Sequence, residues 1–218
     1  MLKQVRKIKP NYRSVTGFVT YKGESIAYES TLERDFLLYH AALPNVIDIT
    51  PQPISIPFIK NGRTYEYTPD YFVQFKLNDK FKPRSLMVEV KPKEEWQVNW
   101  RDWSDKWKAA IAYCNENDFR FSIYDEDRIR HHALDNVNFL SKYKNLAVDR
   151  KEVNAILQQI EMRGETTVEV ILELFFKGDI YRPHGKRVLW HLMSHNLIGF
   201  DIWEDITSEK LEIYHVDF

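Results

Sequence analysis

The chain has 218 residues, 44% of them hydrophobic and 29% charged, with a formal net charge of −1 and a single cysteine, Cys114. This composition fits a soluble globular protein with one large domain, or a core domain and a small appendage. It excludes a disulfide-stapled scaffold, a low-complexity chain and a strongly basic nucleic-acid binder. No apolar run approaches membrane-spanning length, and the basic start MLKQVRKIKPNYR has no apolar segment behind it, so neither a membrane partner nor an export signal is expected.

Charge is unevenly spread. Residues 1–22 hold Lys3, Arg6, Lys7, Lys9, Arg13 and Lys22 with no acid, whereas residues 149–218 hold eight basic against thirteen acidic side chains, a net of −5. Such an arm can reach along a phosphate backbone, with Lys7, Lys9 and Arg13 as its candidate DNA contacts, or remain a solvated terminus.

After the arm, GFVTYKG alternates as a short strand. ESTLERDFLLYHAALPN places Leu32, Phe36, Leu37 and Tyr39 at helical spacing, with Ser30 or Thr31 as cap and Pro44-Asn45 as stop. VIDITPQPISIPFIKNGRTYEYTPDYFVQFK reads as strands, with Asn61-Gly62 as a hairpin turn. A polar loop then leads to SLMVEVKP, a largely buried strand. Two helical pieces follow, interrupted around VNWRDW, the longer covering about Ser104 to Asn117. FRFSIYDEDRI predicts a strand and HHALDNVNFLSKY a helix. Strands flanked by helices in this order argue for an α/β fold with a mixed sheet.

From about Asp149 the texture changes. DRKE is a capping box opening a helix that ends at Arg163-Gly164, and Thr166 to Glu169 is a second box before a short apolar helix. YRPHGKRVLWHLMSHNLIG predicts a third helix stopped by Asn196 or Gly199, and FDIWEDITSEKLEIYHV two strands around Ser208-Glu209. Three short helices and a hairpin are the pattern of a winged helix. The expected division is a basic arm (1–22), a core domain (23–148) and a winged-helix-like domain (149–218).

Chemistry concentrates where the strands carry charge. Glu89 and Lys91 are two apart, so they share one face of a strand whose neighbours are core-like. Asp70 opens the preceding strand and can approach that face. Two carboxylates so placed repel unless a divalent cation neutralises them, and oxygen-only ligands favour magnesium or manganese over zinc. Beside such a pair, Lys91 suits a phosphate substrate, either holding the attacking water or stabilising charge on phosphorus, and the implied reaction is phosphodiester hydrolysis. Read on local residues alone, the same triplet is also compatible with a solvated hairpin face.

TPDY followed by VEVK resembles the PD-(D/E)xK nuclease signature. Together with the upstream acidic helix STLERDFLLYH and the helical C-terminal region, it resembles the TnsA family, the endonuclease subunits of heteromeric bacterial transposases, from about Val19 onward. The resemblance implies a restriction-endonuclease-like fold and a catalytic set of Glu33, Asp70, Glu89 and Lys91, with Asp70, Glu89 and Glu33 holding Mg2+ and Mn2+ as a substitute. Family members vary at the residue two before the lysine, where glutamine can stand; Glu89 restores the acid of the wider superfamily. Glu29 and Asp35 lie close to Glu33 on the helix, and Glu33 is preferred because it sits just ahead of the stripe of Phe36 and Leu37. The resemblance further implies a bacterial cytoplasmic protein acting on double-stranded transposon ends with a TnsB-like DDE transposase and a TnsC-like ATP-dependent regulator. The alternatives are a stand-alone restriction or repair nuclease, and a non-cleaving scaffold bridging DNA and a protein assembly.

Three further features each admit a functional and a plainer reading. Trp96, Trp100, Trp103 and Trp107 share a helical face and read as core rather than a base-stacking platform. His191 and His195 have the i, i+4 spacing of a zinc helix but no intervening glutamate, and read as ordinary helix residues. Arg182, Lys186 and Arg187 at the start of the third helix are candidate DNA contacts, set against the net negative charge of their domain, which favours protein docking.

Overall fold

The computed structural model describes residues 4–5, 15–77 and 82–216, so the arm residues Lys7, Lys9 and Arg13 lie outside the described residues. The chain divides into two compact units, Met1–Arg130 and His131–Phe218. The division falls before the boundary expected at residue 149, because the helix His132–Ser141 places Leu140 in the second unit's core.

In the first unit, β1 (Gly17–Tyr21) pairs antiparallel with β2 (Glu24–Tyr28) across a tight turn with positive φ at Lys22 and Gly23. The sequence pattern predicts only the first of these strands. Helix α1 (Thr31–Ala42) starts at Ser30, whose Oγ accepts from the Glu33 amide at 3.1 Å, the usual way to satisfy an orphan N–H at a helix start. β3 (Val46–Pro51) follows, then β4 (Ile56–Lys60) and β5 (Arg63–Tyr67), which form a hairpin over Asn61-Gly62 with φ of 51° and 72°. These positive angles match the right-handed twist of the paired strands, and glycine adopts them at no steric cost. β6 (Tyr71–Phe75), β7 (Leu86–Val90), α2 (Lys93–Glu116), β8 (Arg120–Tyr124) and the short α3 (Glu126–Ile129) complete the unit.

The central sheet has the order β3-β6-β7-β8, antiparallel except for the parallel pair β7-β8. A parallel pair needs a crossover, and α2 provides it. Every residue of β7 is buried, which explains why LMVEV reads as a nearly continuous apolar run. Tyr71 stacks with Phe36 of α1 while its neighbour Phe72 packs with Met87 and Cys114 of α2, so the two helices cover opposite faces of a mixed sheet.

Where the sequence pattern predicts two helical pieces, α2 is one continuous helix of 24 residues. It contains neither glycine nor proline, and Trp103, Trp107 and Ala110 pack in one register against Ile56 and Tyr67, so nothing breaks the hydrogen-bond ladder. Trp96 and Trp103 are partly buried against the same cluster and Trp107 is buried within it, whereas Trp100 is half exposed.

The second unit comprises α4 (His132–Ser141), α5 (Arg150–Arg163), β9 (Glu165–Thr167), α6 (Val168–Phe175), α7 (Arg182–Ser194), β10 (Gly199–Phe200) and β11 (Glu212–Tyr214). Its three strands form an antiparallel sheet of order β10-β11-β9 around a core that includes Ile156, Ile171, Leu172, Leu192 and Ile213. Thr167, one residue later than expected, caps α6 because Glu165–Thr167 pair with β11. The two strands expected between Phe200 and Val216 are shorter than anticipated. Asp201 and Asp205 accept from the amides of Trp203 and Thr207, turning the backbone where a strand was expected.

Candidate active site

Register brings the charged residues together. Met87 pairs with Phe72 on the face covered by α2, so Glu89, two residues on, shares that face. Asp70, just ahead of β6, continues the pairing: its amide donates to the Val88 carbonyl at 2.9 Å, and its Oδ2 accepts from the Val90 amide at 2.8 Å. Lys91 follows β7 and donates its amide to the Tyr124 carbonyl at 3.0 Å. Its Nζ lies 3.9 Å from Asp70 Oδ2 and 3.9 Å from Glu89 Oε1, so one ammonium stands between two carboxylates. Gln52 helps hold Asp70, donating its amide to the Asp70 carbonyl at 2.8 Å from a left-handed backbone with φ of 44°.

Glu33 approaches from the α1 side. Its Oε2 accepts from the Glu29 amide at 2.8 Å and from the Tyr71 hydroxyl at 3.1 Å, and its Oε1 accepts from Ser30 Oγ at 3.2 Å. Ser30 and Glu33 thus bond to each other at the helix start, a variant of the capping box in which the carboxylate reaches back to the Glu29 amide, and a sheet tyrosine holds the same carboxylate. Of the helix acids weighed from sequence, Asp35 is held instead by Arg34 and Arg130, at 2.7 and 3.0 Å.

The electrostatics follow from burial. Desolvation, then the charge of Glu89, pushes the Asp70 carboxyl well above the usual carboxylate range, with Lys91 and the Val90 N–H opposing. Desolvation also raises Glu33. For Lys91 burial pulls downward, but the combined field of Asp70, Glu89 and Glu33 outweighs it and holds the ammonium charged above its ordinary value.

Two participants were missed from sequence. The Tyr67 hydroxyl donates to Glu89 Oε2 at 2.7 Å, and Lys106 of α2 reaches Glu89 Oε1 at 3.0 Å. A lysine next to core tryptophans on an inward helix face was the available signal for the second, since a charge there needs a partner.

Among the described residues, no group of three His, Cys, Asp or Glu side chains is poised to hold a metal ion. Glu33 is held at the helix start and by Tyr71, and its charge acts on both Asp70 and Lys91. Asp70 and Glu89 together fit a hard divalent ion, because magnesium is commonly held by one or two carboxylates with water and phosphate oxygens completing its shell.

On α7, Arg182 pairs with Glu173 and Glu209, and Lys186 with Glu209 at 2.9 Å, while Arg187 is exposed. His191 of α7 and His195, which follows its last residue, donate to the carbonyls of Tyr143 and Lys144 at 2.9 and 2.8 Å, anchoring a neighbouring segment. No helix among the described residues is long and apolar enough to cross a membrane.

Comparison with known proteins agrees with this layout. The family model described as TnsA-like endonuclease N terminal matches residues 43–126, and that described as TnsA endonuclease C terminal matches residues 128–202. The head completion nuclease of Enterobacteria phage T4 is 25% identical over 134 residues, covering 50% of this chain and 86% of that protein. The first match spans Asp70, Glu89 and Lys91 and the second spans α7; the chain belongs to the TnsA-like endonuclease family.

Proposed function

We propose that this nuclease is a divalent-metal-dependent DNA endonuclease subunit of a transposase, cutting the 5′, non-transferred strand at transposon ends. The observation that carries the reading is the Lys91 ammonium 3.9 Å from both Asp70 and Glu89 at adjacent strand ends. Asp70 and Glu89 would hold Mg2+, or Mn2+ in its place, and the ion would supply Lewis acidity at the scissile phosphate. Lys91 orients the attacking water and steadies negative charge on phosphorus. Glu33 completes the acidic site, fixing Tyr71 and helping keep Lys91 charged. The water oxygen bonds to phosphorus as the bond to the 3′ oxygen breaks, leaving 5′-phosphate and 3′-hydroxyl ends.

The partners in this reading are a TnsB-like transposase that processes the 3′ ends and a TnsC-like regulator, in a bacterial cytoplasm. The second unit, read as a winged-helix-like module, would dock protein at least as readily as DNA. Its sequence from residue 149 is net acidic, and Arg182 and Lys186 are already paired within the unit. A stand-alone nuclease is the second reading, favoured by the similarity to a phage head completion nuclease.

The test is nicking of supercoiled plasmid in magnesium and manganese by the parent, Asp70→Ala and Lys91→Ala, with and without a transposase partner and transposon-end DNA. Loss of at least about 100-fold in both variants is expected from removing electrostatic groups at the reacting centre. Cutting that depends on the partner supports the transposase subunit, and robust cutting without it supports the second reading. Full activity of either variant refutes the site.

A further inference from the structure

Resting on the metal-dependent reading above, we infer that Lys106 is a positioning residue of this site: it holds Glu89 in place and competes with the divalent ion for that carboxylate. Lys106 projects from α2 next to core tryptophans, with its side chain 18% exposed. Its Nζ is 3.0 Å from Glu89 Oε1 and lies 4.7 Å from the Trp103 ring centre, 4.9 Å from Tyr67 and 5.7 Å from Trp107. An ammonium enclosed in this way loses part of its hydration, which the ring faces and the carboxylate offset. An apolar side chain of equal length would pack against the same rings without that cost, so the charge is not explained by packing.

Glu89 is held at both oxygens, by Lys106 at Oε1 and by the Tyr67 hydroxyl at Oε2. Each carboxylate oxygen can accept more than one partner, so these bonds orient Glu89 without exhausting it. Lys106 therefore has two effects of opposite sign. Its charge repels a divalent cation arriving at Glu89, which weakens metal binding. Its hydrogen bond aligns Glu89, which speeds the reaction once the ion is in place. A lysine with a purely structural role would not separate the two, because its loss would weaken metal binding and cleavage together.

The experiment uses the full chain and Mn2+ alone as the probe, with binding followed through the spin resonance of free Mn2+ and plasmid nicking measured in parallel. Lys106→Met is expected to bind Mn2+ about tenfold more tightly, from the lost repulsion, and to nick about tenfold more slowly at saturating Mn2+, from the lost alignment. Lys106→Arg restores the cleavage rate to within about threefold, since it keeps both charge and donor. If Lys106→Met does not fold, as judged by circular dichroism, Lys106→Leu, which likewise removes both the charge and the donor, carries the same expectation. Unchanged or weaker Mn2+ binding in the neutral variant overturns the inference, as does unslowed cleavage. A parent that binds no Mn2+ overturns the metal reading itself and this inference with it. A parent that binds Mn2+ through Asp70, with no shift on removing Lys106, overturns this inference alone.

Discussion

Asparagine at position 70 tests whether the site stores electrostatic strain. Glu33, Asp70 and Glu89 meet two ammonium groups, Lys91 and Lys106, so the fully ionised cluster carries one surplus negative charge. Lys91 is equidistant from Asp70 and Glu89 and cannot neutralise both. Burial and Glu89 accordingly push the Asp70 carboxyl upward. Asparagine keeps an acceptor for the Val90 N–H while removing the charge. Relief of a poorly compensated, mostly buried carboxylate is worth about 1–2 kcal/mol, or about 3–8 °C in melting temperature for a unit of this size.

The pH dependence of this gain has a definite sign. With the folded pKa raised above the unfolded value near 4, the folded metal-free protein binds more protons in the window between them, and the parent loses stability as pH rises through it. Asp70→Asn should therefore match the parent at about pH 4 and exceed it increasingly until pH passes the folded pKa of Asp70. Thermal denaturation in EDTA across this range measures the difference. Added Mn2+ should raise the melting temperature of the parent but not of the variant, by the equivalent of about 2.7 kcal/mol at a hundredfold excess over Kd. A variant no more stable than the parent in EDTA at about pH 8, or an advantage that grows toward acid, refutes the reasoning.

Two further outcomes can be checked separately. Gly62→Ala meets no atom within 4 Å but must adopt a φ of 72°, so it should lower stability by about 1 kcal/mol, read from the midpoint of urea unfolding, purely through backbone conformation. Glu209→Gln removes the counter-charge from Lys186 and one of two from Arg182. DNA affinity should then rise at low salt, with the salt dependence steepened by about one phosphate contact, and an unchanged slope assigns this face to protein docking.

Local grammar carried much of the fold. Asn61-Gly62 announced its hairpin, Ser30 or Thr31 a helix start, Gly164 the end of α5, and the apolar run before Glu89 a buried strand, because each depends on backbone angles or periodicity within a few residues. Glu89 and Lys91 share a face for the same reason. Elements that rest on distant partners were less legible. The three-residue β9 exists because β11 lies beside it, and α2 runs unbroken through VNWRDW because its tryptophans find a single register against Ile56 and Tyr67.

The same division runs through the site. By itself the sequence determined which charges are available, Asp70, Glu89, Lys91 and Glu33, and that two of them must project together from one strand. Only the tertiary structure decided that Asp70 closes onto Val90, that Lys91 stands between two carboxylates, that Glu33 is tied to Tyr71, and that Lys106 and Tyr67 grip Glu89. Spacing along one chain segment sets which face a side chain takes, whereas its partner across the sheet is set by register and helix packing between segments far apart in sequence.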